Sequence, residues 1–317
     1  MIYYNKALEY FEGALGYGYM LGPNTWTLVG LGARMAIGLG MHTSAAYEGL
    51  PADVSEKRKR LFFSVYMMDR VVSIALGRPF AINEDDIDVT SFAATDDGNI
   101  TAEHNLPGDS LKTSMMAVPL HILELRRIAS NITTSVYSYR KSAGLSVEQR
   151  EEITDSLHQR LLDWRRNMPF PLPNTDAAVP HLSSTWYDFN YYLHLAMLYR
   201  PSPLFPTLTQ ARVKILAEAA SMSIRQVFNM HRQECLAYNW LNLLSIFTAT
   251  LSLIYATTVQ PDNLPSFLKD KRAVADLELT IQLFHKLSVK FPVAGKIRRM
   301  VEQISTRYKE IIVDDET

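Results

Sequence analysis

Apolar residues recur at every third or fourth position along most of the chain, which is the spacing of an amphipathic α-helix. The clearest segment follows Asp53, a predicted N-cap with Glu56 three residues later. Its apolar positions share one face of the predicted helix and are Leu61, Phe62, Val65, Met68, Val72 and Leu76. Gly77 and Pro79 are predicted to end this helix. No convincing array of strands interrupts the helical pattern, so the sequence predicts an all-α protein with roughly ten helices.

The predicted helices fall into two groups. A proline-rich stretch, PFPLPNTDAAVP, begins at Pro169 and has turn-forming residues in place of helical periodicity. We therefore expect one large helical domain with two closely packed halves, namely an N-terminal half at residues 1–168, a connection at residues 169–182 and a C-terminal half at residues 183–317. Helices of the C-terminal half are predicted near residues 183–199, 209–232, 240–259, 273–289 and 293–312.

Composition restricts the classes of function. The chain has 32 Lys and Arg against 33 Asp and Glu, so it has no general positive field, and we expect no direct DNA binding by this chain. A single cysteine, Cys235, excludes an internal disulfide framework and is typical of a reducing intracellular compartment. The apolar segment from Trp240 to Val259 carries scattered Ser, Thr and Asn, which favours a buried central helix over a membrane span.

An acidic cluster follows the first long helix. Its members are Glu84, Asp85, Asp86 and Asp88. In some all-helical enzymes, such carboxylates bridge magnesium ions that hold a diphosphate. This sequence has no convincing second metal-binding cluster, and the acids follow a helix-terminating Gly-Arg-Pro in a stretch that looks extended. We interpret them as a solvated or helix-capping loop, and we predict no metal site.

Other catalytic patterns are absent from the sequence. It contains no pair of histidines with zinc-protease spacing, no Gly-x-Ser-x-Gly elbow, no phosphate-binding glycine loop and no dinucleotide fingerprint. We therefore predict no catalytic residue and no cofactor in this chain. Two alternatives stay open at this point: an enzyme that acts on a hydrophobic small molecule in a helical pocket, and a scaffold that only oligomerises.

Two segments of the N-terminal half carry a specific combination of residues. They are WTLVGLGARMAIGLGMH, from Trp26 to His42, and EKRKRLFFSVYMMDRVVSIALGRPFAINEDDIDV, from Glu56 to Val89. Together they resemble the regulatory middle homology domain of fungal zinc-binuclear-cluster transcription factors. The residues that carry the resemblance are Trp26, Arg34, Phe62, Phe63, Asp69, Arg70, Gly77, Arg78 and Pro79. The family usually has two tryptophans in place of the adjacent phenylalanines, which would keep the aromatic packing role.

The resemblance implies a non-enzymatic regulatory domain of a fungal transcription factor that acts in the nucleus. Such a domain would control transcription through intramolecular contacts, dimerisation or a small-molecule effector. Its expected partners are a second copy of the chain, a small hydrophobic effector, and the transcription machinery through a parent protein. This chain lacks the six-cysteine zinc cluster of the family, so zinc is expected only in a separate cluster domain of the parent protein.

Asp69 and Arg70 are charged residues inside an otherwise apolar helical segment. A buried charge is costly unless it is paired, so Asp69 requires a cation nearby. Arg78 stands just past the predicted helix end and could turn back toward it. We therefore predict an architectural pair of Asp69 and Arg78, with hydrogen bonds from Tyr66 and Ser73.

The C-terminal half has an unusual number of aromatic residues and methionines on three predicted helices. Such side chains suit the walls of a pocket for apolar ligands, although aromatic residues at helical spacing also fill ordinary cores. We predict an effector pocket between these helices, with a filled core as the alternative. Its candidate residues are Trp186, His194, Met197, Phe228, Trp240, Asn242, Phe247 and Tyr255.

Overall fold

The computed structural model describes residues 21–101, 114–172, 179–259 and 272–316. Within these ranges the chain forms ten α-helices and no β-strand. The helices are α1 (Leu21–Gly38), α2 (Ala52–Leu76), α3 (Ala117–Val136), α4 (Tyr139–Ser142), α5 (Val147–Arg166), α6 (Ser184–Tyr199), α7 (Gln210–Arg232), α8 (Trp240–Thr258), α9 (Arg272–Ser288) and α10 (Pro292–Glu316). The predicted all-α class is confirmed.

The chain folds into two compact units. Unit 1 comprises Met1–Gly49 and Arg58–Thr90, and unit 2 comprises Leu50–Lys57 and Ser91–Thr317. Helices on both sides of the proline-rich connection therefore belong to unit 2. Part of that connection lies outside the described residues, and the predicted boundary at residues 169–182 stays a prediction.

In unit 1, α1 and α2 pack side by side in antiparallel orientation. Near the start of α1, the Trp26 indole donates a hydrogen bond to Ser73 Oγ at 3.1 Å. Just past its end, Arg58 donates to the Leu39 carbonyl at 3.0 Å. The inner face of α2 buries large aromatic residues, of which Phe62 and Phe63 meet edge to face with ring centroids 5.1 Å apart. Edge-to-face packing is a favourable geometry for aromatic pairs, so these phenylalanines fill the aromatic role predicted for them.

The start of α2 differs from the prediction. Asp53 is not the N-cap but lies inside the first turn, where it accepts a hydrogen bond from Lys57 at 3.0 Å. Glu56 does not complete a capping box, because its carboxylate accepts a hydrogen bond from the backbone N–H of Ala93 at 2.9 Å. The helix therefore begins at Ala52, two residues before the first helical position that an N-cap at Asp53 implies. Glu56 connects its first turns to a later loop of unit 2.

Unit 2 is built from layers of neighbouring helices. Helix α3 packs on α5, α5 on α6, α6 on α7 and α7 on α8, while α9 packs on α7 and α10. A capping box at Ser146 and Gln149 begins α5, which fixes where that helix starts. The large apolar core lies among α6 to α10 and includes Phe189, Leu253 and the single cysteine, Cys235.

Helix α8 is the one helix of the described ranges that is long and apolar enough to cross a membrane. Core helices pass the same test, and this helix places Leu243, Ile246 and Leu253 in the core of unit 2. Its hydroxyl-bearing residues hydrogen-bond to the helix's own carbonyl groups, as Thr250 Oγ1 does to Ile246 O at 2.7 Å. The helix thus has the central packing role that the sequence predicted.

Candidate functional site

The carboxylate of Asp69 is the centre of a buried polar network in unit 1. Its side chain is 1% exposed and accepts hydrogen bonds from Arg70 Nη1 at 2.7 Å and from Ser73 Oγ at 3.2 Å. It also accepts from the backbone N–H groups of Ala81, at 3.0 and 3.1 Å, and of Ile82, at 3.2 Å. The Asp69 side chain therefore links α2 to the segment of Ala81 and Ile82, which follows the helix.

Arg70 is fully buried and its charge is compensated twice. Its second terminal nitrogen, Nη2, donates to Glu84 at 3.0 Å. Its guanidinium lies between two rings, 4.1 Å from the centroid of Tyr66 and 4.3 Å from that of Phe80. Stacking on aromatic faces and pairing of its two terminal nitrogens with separate carboxylates suit the planar guanidinium, so the cation is stabilised although it is removed from water.

Tyr66, on the same helix, donates a further hydrogen bond to this network. Its hydroxyl donates to Glu84 at 2.7 Å rather than to Asp69. Burial, partly opposed by the nearby charge of Arg70, raises the pKa of Tyr66 well above its ordinary value. The phenol is thus held in its neutral, hydrogen-bond-donating form.

The predicted pair of Asp69 and Arg78 is wrong. Asp69 pairs with the adjacent Arg70, whereas the guanidinium of Arg78 lies 4.7 Å over the ring of Trp26. The physical reason is the turn that ends α2. Gly77 adopts a positive φ of 62°, and the backbone N–H of Arg78 donates to the Ser73 carbonyl at 2.8 Å. This is the glycine-terminated helix end of the Schellman type, and it directs Arg78 toward α1.

Two of the acidic-loop residues have structural roles. Glu84 completes the Arg70 network, and Asp88 accepts hydrogen bonds from the Ser44 backbone N–H at 2.6 Å and from Ser44 Oγ at 2.9 Å. These bonds, the backbone one above all, lower the pKa of Asp88. Asp85 and Asp86 are exposed. In the part of the chain that the structure describes, no group of three or more His, Cys, Asp or Glu side chains could hold a metal ion.

The predicted effector-pocket residues lie on α6, α7 and α8 of unit 2. Phe189 is part of the core there, and Trp186, Phe228 and Phe247 pack against it. Asn242 is occupied near the start of α8, because its Nδ2 donates to the Ala237 carbonyl at 2.7 Å. Met197 is buried, while Trp240 and Tyr255 are half-buried. These aromatic side chains therefore contribute to packing, and the effector pocket remains a prediction.

His194 is the predicted pocket residue with the most unusual electrostatics. It is 6% exposed, and its Nδ1 donates to the Asn190 carbonyl at 2.7 Å. Burial, reinforced by the nearby charge of Arg126, lowers the pKa of His194 to about 4. The imidazole is therefore neutral at physiological pH.

Sequence inspection missed an aromatic stack between α3, α5 and α6. The Trp164 ring lies parallel to His121, with centroids 5.0 Å apart, and packs on Tyr187 at 5.7 Å. His121 Nε2 and the Tyr187 hydroxyl are both inaccessible to water and have no hydrogen-bond partner among the described residues. Burial raises the pKa of Tyr187 to about 12. Trp164 stands at helical spacing from Leu157 and Leu161, which indicates an apolar face, but no local signal pointed to the unsatisfied polar atoms beside it.

Unit 1 also has an exposed apolar surface on its two antiparallel helices, which we call the α1–α2 apolar face. On α1 and the turn after it, large apolar side chains recur at helical spacing while 52–61% exposed. On α2, two more are 54% and 49% exposed. The members of the face are Leu28, Leu31, Met35, Leu39, Leu61 and Met68. Exposed apolar residues that recur along one side of a helix are typical of protein contact surfaces.

These features define an all-α protein whose most prominent polar network holds two helices and a returning segment together. Residues 14–166 match the model of the fungal specific transcription factor domain. This part of the chain is similar to that family, in agreement with the two motif segments. The matched range includes the whole Asp69 network, so the family motif corresponds to an architectural element.

Curated relatives extend the similarity into the C-terminal part. The chain is 25% identical over 250 residues to the pyrimidine pathway regulatory protein 1 of Saccharomyces cerevisiae, covering 76% of this chain and 27% of the relative. It is 27% identical over 268 residues to the transcriptional activator protein acu-15 of Neurospora crassa, covering 80% and 26%. It is 23% identical over 359 residues to the positive regulator of purine utilization of Emericella nidulans, covering 89% and 33%.

The chain thus spans a third or less of the length of these relatives. No solved structure matches it.

Proposed function

We propose that this chain is a non-enzymatic regulatory domain of a transcription factor, acting in the nucleus, and that it controls transcription through protein contacts of the α1–α2 apolar face. The exposed face is the observation that carries the proposal. Six large apolar side chains on one pair of helices cost solvation free energy in water, and burial against a partner would recover it. The similarity to transcriptional regulators supports the regulatory role.

The occupant of the face is either a second copy of the chain or another segment of a longer regulator. Both would bury the same side chains, and both belong to the mechanisms expected from the family. The architectural network beneath the face supports this role, because Asp69 and Arg70 hold α2 in one orientation and so keep Leu61 and Met68 on its outer surface.

A paired substitution tests the face without disturbing the core. Leu31→Glu with Met35→Glu places two charges on the exposed side of α1, where neither side chain is buried. Val147→Glu is the matched control, because Val147 is exposed and belongs to unit 2. Each variant would be fused to a heterologous DNA-binding domain for a reporter assay, and light scattering of the isolated chain would report self-association.

We expect the double variant to alter reporter output while its thermal unfolding stays like that of the wild type, and the control to change neither. Loss of self-association in the double variant would identify a second copy as the occupant. Unchanged self-association with altered output would identify another segment of the regulator. Wild-type behaviour of the double variant in both assays would refute the proposal.

A further inference from the structure

A strongly basic corner lies where α9 ends and α10 begins in unit 2. The sequence has no Asp or Glu between Glu278 and Glu302, and its segment HKLSVKFPVAGKIRRM, residues 285–300, contains five Lys and Arg residues. The chain as a whole has a formal charge of -1, so the residues outside this segment are net acidic. The segment therefore differs in the sign of its charge from the remainder of the chain.

The connection between the two helices is short and hydrogen-bonded, which gives the corner a defined shape. Only residues 289–291 separate the end of α9 from the start of α10. The backbone N–H groups of Lys290 and Phe291 both donate to the Leu287 carbonyl, at 3.1 and 2.8 Å. Leu287 and Ala294 are buried in the core of unit 2, so both helix ends are anchored beneath the corner.

The outer side of the corner combines cations with apolar side chains. Its exposed members are Lys286, Val289, Lys290, Val293, Lys296 and Arg299, and we call this surface the basic α9–α10 corner. Val289 is 88% exposed and Val293 is 52% exposed. Val293, Lys296 and Arg299 recur at every third position, so they lie on one side of α10.

Most cations of this corner have no counter-ion. Lys286, Lys296 and Arg299 make no ion pair with any described residue, and the Lys290 ammonium donates only to a carbonyl, that of Tyr238, at 3.3 Å. The helix dipole favours cations at the end of a helix and disfavours them at its start. It therefore explains Lys286, in the last turn of α9, but not the two cations in the first turns of α10.

Neighbouring carboxylates do not neutralise the corner. The next acid along α10, Glu302, is paired with Arg298 at 3.2 Å. Burial and the nearby charge of Glu234 raise the pKa of Tyr238, so one carboxylate lies near the residue that Lys290 contacts. The corner thus keeps a surplus of positive charge. Exposed like charges at one end of two helices repel each other, and an anionic partner would relieve this repulsion.

The combination of side chains favours one class of anionic partner. Nucleic acids bind through cations and through aromatic rings that stack on bases, whereas the exposed apolar members of the corner, Val289 and Val293, are aliphatic. Duplex DNA and anionic membranes are also extended anions, which the net acidic remainder of the chain would repel. A peptide with acidic and apolar residues uses both features, because its carboxylates pair with the cations and its apolar side chains cover the valines.

We propose that the basic α9–α10 corner binds an acidic peptide segment of a partner protein, in which carboxylates alternate with apolar side chains. Carboxylates of the segment pair with Lys296 and Arg299, and an apolar side chain between them covers Val293. This surface belongs to unit 2 and shares no residue with the α1–α2 apolar face. Binding of such a segment does not depend on the transcriptional role of the chain.

The experiment uses the full chain and three fluorescent peptides of equal length. The first peptide alternates Glu and Leu, the second has Gln in place of every Glu, and the third has Ser in place of every Leu. Fluorescence anisotropy at about 0.15 M chloride, where long-range charge effects are screened, measures binding. We expect the first peptide to bind more tightly than both others, and its affinity to fall as chloride is raised.

Two further probes distinguish the peptide from other anions, namely duplex DNA and vesicles of phosphatidylserine and phosphatidylcholine. Binding of DNA or vesicles without binding of the Glu–Leu peptide would overturn the proposal. Equal binding of the peptide with Ser in place of Leu would overturn it as well, because a purely electrostatic contact makes no use of Val289 and Val293.

Charge reversal locates the binding surface. Lys296→Glu with Arg299→Glu should weaken binding of the Glu–Leu peptide about tenfold or more, because two attractive contacts become repulsive. Acidic residues near the start of a helix are compatible with its dipole, so thermal unfolding should stay like that of the wild type. Arg307→Glu with Lys309→Glu is the matched control, since it changes the net charge equally and lies further along the same helix.

We expect the control to retain the affinity of the wild type within about twofold, because screening weakens charges that lie more than a Debye length from the corner. Equal weakening in both double variants would show that only the overall charge of the chain matters, and it would overturn the proposal. Neither result bears on the α1–α2 apolar face, which lies in unit 1.

Discussion

The two units of the molecule surround a helical arginine in opposite ways. In unit 1, Arg70 has no exposed surface, pairs with Asp69 and Glu84, and lies between the rings of Tyr66 and Phe80. In unit 2, Arg126 is desolvated without a carboxylate or a hydrogen bond among the described residues. In the first arrangement both terminal nitrogens of the guanidinium have a carboxylate partner, although Arg70 Nε is buried without one, and the network specifies the geometry of α2. In the second, the half-exposed cation has no counter-charge among the described residues, so no ion pair joins it to another segment.

The difference also separates two consequences of removing a charged side chain. A compensated buried pair contributes little net stability over apolar residues of similar size, yet removal of one partner leaves the other buried and unpaired. The network in unit 1 is therefore sensitive to every single deletion. Arg126 has no counter-charge among the described residues, so its removal leaves no carboxylate without a partner.

The largest effect is expected from Asp69→Ala. The substitution leaves Arg70 without its buried counter-ion and leaves the N–H groups of Ala81 and Ile82 without their acceptor. We expect a loss of about 3–5 kcal/mol in the free energy of unfolding. Urea unfolding monitored by circular dichroism measures it. Asp86→Ala, on the exposed loop, is the control and should leave the midpoint nearly unchanged. Equal midpoints for the two variants would contradict the architectural role.

A second, smaller effect concerns pH. His194 has a folded pKa of about 4, below the ordinary value of 6.5, because it is buried and lies near Arg126. The unfolded chain therefore binds the proton more readily than the folded one between these values. The stability contributed by the neutral imidazole is complete above about pH 6.5, and it decreases as the pH falls toward 4, with a loss of about 2 kcal/mol by pH 5.

Urea unfolding at pH 7.5 and pH 5 would measure this loss as the difference between the wild type and His194→Gln. The variant lacks the titrating group, so its stability should decrease less between the two pH values. His285→Gln removes an exposed histidine and serves as the control. An identical pH dependence in all three proteins would show that His194 takes up a proton as easily in the folded state as in the unfolded one.

Much of unit 1 and unit 2 could be predicted from local patterns. The spacing of apolar residues identified the helices, because one face of each helix must be buried, and the turn residues Gly77 and Pro79 marked the end of α2. The capping box at Ser146 and Gln149 is likewise a local signal, since both partners lie within one turn.

Partners that come from another segment could not be predicted in the same way. Asp69 is held by the N–H groups of Ala81 and Ile82, and backbone groups carry no sequence signature. The prediction that Asp69 pairs with Arg78 failed because the positive φ of Gly77 directs Arg78 over Trp26. The position of Arg126 beside His194 depends on how α3 packs on α6, so its missing counter-charge became visible only in the folded structure.

We expect the smallest change in the free energy of unfolding from Arg126→Met. This variant is also the sharpest test of the comparison between Arg70 and Arg126. Methionine keeps the length of the side chain and removes a charge that has no partner, so no buried group is orphaned. The free energy of unfolding should stay the same or rise by up to about 1 kcal/mol. The counterpart Arg70→Met should instead be strongly destabilising, because Asp69 would lose its cation inside unit 1. Urea unfolding of both variants in chloride buffer, without carboxylates or phosphate, measures the contrast. If Arg126→Met destabilised the chain as much as Arg70→Met, Arg126 would have a structural partner in the folded protein, and the contrast between the two arginines would fail.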